Sequence, residues 1–191
     1  MININKIISA IFLIIASELQ AGPFGLEMGM SIDQIDPDAK EVKPGTYLLS
    51  KVPKPHSSFE MYMVTVSPNS GLSSIKAVSE VKTNSYGTEI RNAFFEMSAK
   101  LEKVYGKGDT TDELISGSIW NRPNDFLMSL RMKERLLACV WNTPKNANNI
   151  EQIILASNTD SNITALLFLQ YNFTNAAIAD KEIAALEDDA L

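Results

Sequence analysis

One histidine, one cysteine and a short acidic cluster are what this 191-residue chain offers to chemistry. His56 stands in the turn-like run Pro53-Lys54-Pro55-His56, and an imidazole that titrates near neutrality can serve as a general base. A lone histidine between prolines reads first as a turn residue. Cys139 lies in the apolar run Leu136-Leu137-Ala138-Cys139-Val140-Trp141, where a buried thiol has a raised pKa and is inert. With one residue of each kind, a histidine–cysteine zinc site is not expected. Asp109, Asp112 and Glu113 could act as a carboxylate pair in glycoside hydrolysis, but they equally suit a solvated segment beyond a helix. Ser118, in Ile115-Ser116-Gly117-Ser118-Ile119, lacks the Gly-x-Ser-x-Gly elbow, and no Gly-Lys-Ser/Thr follows Gly25 and Gly29 to make a phosphate cradle. The sequons Asn162-Ile163-Thr164 and Asn172-Phe173-Thr174 matter only in a eukaryotic secretory route. The inventory therefore predicts no catalytic residue, no cofactor and no metal ligand set.

Binding chemistry is better represented. Residues 106–125 form a stretch of about twenty residues, long for a connection inside a compact domain. Within it Trp120, Asn121, Arg122 and Asp125 bring an aromatic ring next to a guanidinium, the residue types enriched at binding hot spots. These four are the candidate partner-binding residues. The alternative is that Trp120 plugs the segment onto a sheet.

The elements that must position them can be read from periodicity. Ser31 followed by Gln34 is a capping pattern for a short helix with Ile32 and Ile35 as its apolar edge, ended by Pro37 and Pro44-Gly45. Strands are predicted at 46–52, 59–66 and 72–82, with 67–71 a turn by composition. Ile90, Ala93, Phe94, Met97, Leu101, Val104 and Tyr105 recur at steps of three and four, which predicts a helix over 88–105 stopped by Gly106 and Gly108. Phe126, Met128, Leu130 and Met132 alternate, predicting a strand that returns through 135–141. A second hairpin joins 150–156 to 163–173 across the turn-forming run 157–162. Residues 177–191 carry a weak helical edge at Ile178, Ile183 and Leu186, with acidic residues at the end that oppose the helix dipole. Hairpin-joined strands imply an α+β fold: antiparallel sheet in the order helix, three strands, helix, four strands, with the helices packed on one face and a terminal helix or tail. The body, 22–176, reads as one domain, divisible into αβββ halves at 22–86 and 87–176.

Residues 1–21 set the compartment. A short n-region with Lys6, the eleven-residue apolar run 7–17 and a small residue at Ala21 match a secretory signal peptide. The run is too short to cross a bilayer, which needs about 20 apolar residues. Cleavage after Ala21 removes Lys6 and Glu18, one charge of each sign, so the net charge stays at −6. A periplasmic or secreted body with one cysteine relies on packing, not an internal disulfide. Its acidity and lack of a basic run argue against nucleic acid or anionic lipid as partners.

The run from Phe24 to Ile35, Phe-Gly-Leu-Glu-Met-Gly-Met-Ser-Ile-Asp-Gln-Ile, resembles the Gly-x-x-x-Gly-Met-Ser opening of small exported bacterial domains. These are the BamE/SmpA-like outer-membrane assembly lipoproteins and the related β-lactamase-inhibitor-like proteins, the latter built from two helix-plus-sheet units. The resemblance covers about a dozen residues and lacks the lipidation cysteine. It implies an envelope protein that binds another envelope or secreted protein, as an inhibitor, immunity partner or assembly factor, and catalyses nothing. A carboxylate-dependent envelope hydrolase and a self-associating structural component are the alternatives.

Overall fold

A computed structural model describes residues 22–188, apart from residues 146 and 148. The export segment read at 1–21 lies outside the described residues, as do 189–191. Among the described residues no helix is long and apolar enough to cross a membrane.

The chain builds one eight-stranded, wholly antiparallel sheet. Its strands are β1 (Lys40–Lys43), β2 (Thr46–Leu48), β3 (Met61–Ser67), β4 (Gly71–Lys82), β5 (Asp109–Leu114), β6 (Arg135–Asn142), β7 (Ile150–Asn158) and β8 (Thr164–Phe173). Four α-helices accompany them: α1 (Ile32–Ile35), α2 (Thr88–Tyr105), α3 (Phe126–Arg131) and α4 (Ala176–Asp188). The strand order β1-β2-β3-β4-β8-β7-β6-β5 is two four-strand meanders that meet through their last strands. β1–β4 fall within residues 22–86 and β5–β8 within 87–176.

Register explains the core. Tyr47, Val64, Ile75, Tyr171, Ile153 and Trp141 stand opposite one another across six strands. Because side chains alternate between faces, this row and its period-two neighbours Ala77, Leu169, Leu155 and Cys139 present one continuous apolar face. Helix α2 covers it with Ile90, Phe94, Met97 and Leu101, all buried. Each such side chain contributes about 1.5–3 kcal/mol of burial. Val104, placed on the same stripe by its spacing, is exposed instead. Ala93 and Tyr105 are only partly buried.

Several short contacts fix the ends. The Ser31 backbone N–H donates to Gln34 Oε1 at 3.0 Å, closing the start of α1 as its spacing predicts. Asp36, fully buried, accepts from the Ser50 backbone N–H at 2.6 Å, the Ser50 hydroxyl at 2.8 Å and the Asp38 N–H at 3.2 Å. Burial would raise its pKa, but these hydrogen bonds outweigh it and hold the carboxyl below the usual range. Gly87 opens α2 at φ 66°, and a Cβ there would sit 2.1 Å from Phe126 Cδ1, so both conformation and space require glycine.

Five sequence expectations are corrected. The sheet has eight strands, not seven. The missing first strand, β1, is a charged edge strand with every residue exposed, so it carries no apolar alternation. Pro44-Gly45 turns β1 into β2, which ends at Leu48 and not at 52. Residues 126–131 are helix α3: Phe126, Leu127 and Leu130 are all buried, a helical spacing that alternation conceals in so short a run. The partner of β6 is β5, which lies inside the 106–125 stretch read as one long connection. Finally, the helices do not all share a face. α4 packs on the turn between β3 and β4, where Glu182 accepts from the Asn69 and Ser70 backbone N–H groups at 3.1 and 3.0 Å.

Candidate functional site

With β5 removed from it, the irregular connection shrinks to residues 115–122. Gly117, at φ 85°, with open space around it, lets this segment turn back. Ser118 Oγ accepts from the Trp120 N–H at 3.1 Å, and Asp125 Oδ2 accepts from the Arg122 N–H at 3.2 Å. The four predicted partner-binding residues thus divide. Asn121 and Arg122 reach a cavity, Asp125 holds the backbone behind Arg122, and half-buried Trp120 lies outside both that cavity and the main core cluster.

The cavity is about 730 Å³. Arg91 comes to it from the first turns of α2, Arg135 from the start of β6 and Arg122 from the loop. Tyr86 and Phe95, both largely exposed, are aromatic walls, and Phe126 lies at the base. Arg91 Cζ is 5.2 Å from the centre of the Phe126 ring and Arg135 Cζ 5.0 Å. Two guanidiniums against one buried ring are a cation–π pair that fixes where the charges sit. Arg135 donates from Nη1 to Asp112 Oδ1 and from Nε to Ser129 Oγ, the latter at 3.1 Å. Arg91 lies 3.8 Å from the other Asp112 oxygen, and Arg122 makes no ion pair among the described residues. The lining holds three guanidiniums and no carboxylate. In a chain of net charge −6 this is a local reversal of sign.

The carboxylates and the histidine considered for catalysis do not form one site. Asp112, on the edge strand β5, is committed to Arg135 and Arg91. His56 precedes β3, five strand steps away, or about 24 Å at 4.8 Å per step. Its Nδ1 accepts from the Ser58 N–H at 3.1 Å, a turn contact. Cys139 packs in the core, where the Thr110 hydroxyl donates to Sγ at 3.1 Å.

The second surface is the face of the sheet turned away from α2. Register places Met63, Lys76, Gln170, Ile154, Val140 and Asp109 in one row across it. Val78, Phe168, Ala156 and Ala138 lie in the next row, with Met61 at one end. Only its end near the β3–β4 turn is bordered by α4, through Ala176, Ala177 and Asp180, and there its residues are polar. Elsewhere Met61, Leu136 and Leu166 are exposed, and Ile115 of the loop borders Leu136 and Phe168. Lys76 lies over the Phe168 ring at 5.1 Å, and partial burial, with Lys43 nearby, pushes its ammonium pKa down. Strand alternation marks the buried side of a sheet, so this face leaves no period of its own in the sequence. The near-continuous apolar runs of β7 and β8 were the available signal.

No protein-family model, curated protein or solved structure matches this chain significantly.

Proposed function

We propose that the protein is a non-catalytic binding module that docks a folded partner protein on the uncovered sheet face. The supporting observation is the apolar centre of that face, Met61, Val78, Phe168 and Leu136, which no described helix covers. The apolar residues run from Met61 on β3 to Leu136 on β6, four spacings of about 4.8 Å or roughly 19 Å, the scale of the centre of an interface whose one side covers ~800 Å². A contiguous exposed apolar patch on a protein surface commonly marks an interaction site. Glu80, Asp109, Glu113 and Asp180 share its rim with Lys43, Lys76 and Lys133, so the partner's complementary patch is apolar with a rim of both signs. The exposed loop residue Ile115 extends the surface at its β5 end. The match of residues 1–21 to an export signal supports a partner in the periplasm or outside the cell, and the opening Phe24–Ile35 resemblance to envelope binding domains points the same way.

A photo-crosslinking residue at position 78 or 168, compared with one at position 100 on α2, tests the reading in periplasmic extract. A discrete adduct from the sheet face alone, suppressed by Met61→Glu, is expected. Adducts from both faces alike, or none, would refute it, and an adduct of twice the chain mass would make the occupant a second copy.

A further inference from the structure

The arginine-lined cavity lies on the helix-bearing side of the sheet, so it is not part of the docking face and does not depend on it. Its position follows from the register: Arg135 is two residues before Leu137, whose side chain is fully buried on that side, and Asp112 stands opposite Leu137. Three cationic side chains converge there from three separate elements. Two of them are held by the Phe126 face and by Asp112, so their donor edges keep their direction whether or not anything is bound.

The charge balance selects the ligand. Among the described residues Asp112 is the one acid in ion-pair contact with Arg91, Arg122 or Arg135, and Asp125 stands behind the cavity on the Arg122 N–H, so the lining keeps a net positive charge. A phosphate monoester carries about −1.5 to −2 near neutral pH and three acceptor oxygens. A carboxylate carries about half of that charge. Beside the cations, Tyr86 and Phe95 give two exposed ring faces, and Asn92 and Asn121 give amide donors. A cavity of about 730 Å³ is within the range of small-ligand sites and much larger than one phosphate needs. We infer that this cavity binds a phosphate monoester, with the phosphoryl oxygens on the edges of Arg91 and Arg122 and the attached group against Tyr86 and Phe95.

Free metabolites and lipid headgroups both offer this chemistry, and the experiment separates them. Phenyl phosphate, inorganic phosphate and benzyl alcohol are titrated calorimetrically into the intact protein, and flotation is measured with vesicles containing phosphatidic acid or phosphatidylcholine alone. Arg122 is exposed, so Arg122→Gln leaves packing intact, and Lys100→Gln on a distant part of α2 is the matched control for lost charge. Saturable phenyl phosphate binding, tighter than inorganic phosphate and absent for benzyl alcohol, is expected. Arg122→Gln should weaken it about tenfold or more, as loss of a charge-assisted hydrogen bond does, and Lys100→Gln should leave it unchanged. Flotation with phosphatidic acid that Arg122→Gln abolishes would assign the group to a lipid headgroup. No saturation by phenyl phosphate together with no such flotation, or equal loss in both variants, overturns the inference.

Discussion

Replacing Asp112 by asparagine should move stability and anion affinity in opposite directions. Asp112 shares its carboxylate between Arg135, whose side chain is 19% exposed, and Arg91, at 46%. Breaking a fully buried pair costs about 3–5 kcal/mol, whereas exposed pairs contribute under about 1 kcal/mol. A site between these limits, with an amide oxygen still able to accept from Arg135, implies a loss of about 1–2 kcal/mol. For a domain of this size that is a fall in Tm of about 2–8 °C. The same change adds one positive charge to the cavity. At about 8 Å and an effective dielectric constant near 40, a dianion gains about 2 kcal/mol before screening. Salt at physiological strength reduces this to about 1 kcal/mol, or roughly fivefold tighter binding. Urea unfolding followed by the emission of Trp141, buried with its indole N–H on the Gly106 carbonyl at 2.7 Å, gives the first number. Phenyl phosphate titration gives the second. A variant that binds more weakly while keeping full stability would refute the electrostatic account of the cavity.

Other positions give sharper structural tests. Asp36→Ala strips three hydrogen bonds from a buried carboxylate and should cost about 3 kcal/mol in denaturant. Because the folded-state pKa of Asp36 is lowered, its contribution is complete above the unfolded value, near 4, and is lost as pH falls through the folded one. Acid titration of wild type should therefore lose stability that the variant never had. Gly87→Ala forces φ 66° on alanine and drives a methyl into Phe126, so it should destabilise by about 2 kcal/mol or more and weaken phenyl phosphate binding as Arg91 and Arg135 lose their platform. Glu182, hydrogen-bonded to Ser70 and Asn69, has its pKa lowered to about 2, so the clamp of α4 on the β3–β4 turn holds above pH 4.5 and releases toward pH 2. Protection factors at Asn69 and Ser70, corrected for intrinsic exchange at each pH, should fall over that window in wild type and be low throughout in Glu182→Ala.

How legible each part was depends on what it buries. Helix α2 and strands β3, β4, β7 and β8 bury one whole face, so their periods stand out in the residues themselves. β1 and β5 lie at the two edges, and their Lys-Glu-Val-Lys and Asp-Thr-Thr-Asp-Glu-Leu runs are written for solvent and for protecting unpaired backbone. α3 is too short for period 3.6 to separate from period 2. The site follows the same rule. Asn121 and Arg122 are recognisable because they neighbour a tryptophan, whereas nothing in the local pattern around Arg91 or Arg135 marks either for binding. Only folding brings positions 91, 122 and 135 to one cavity, and no local pattern encodes that meeting.

The meander order has a consequence for how the molecule comes into being. β4, twelve residues long, finds its second neighbour in β8, the last strand made. Until residue 173 has emerged, the first meander ends in an unsatisfied row of backbone donors and acceptors, and β7 offers another. A chain truncated anywhere between 159 and 173 would carry two open, apolar edges side by side, so shortened products should precipitate or recruit chaperones instead of folding in part.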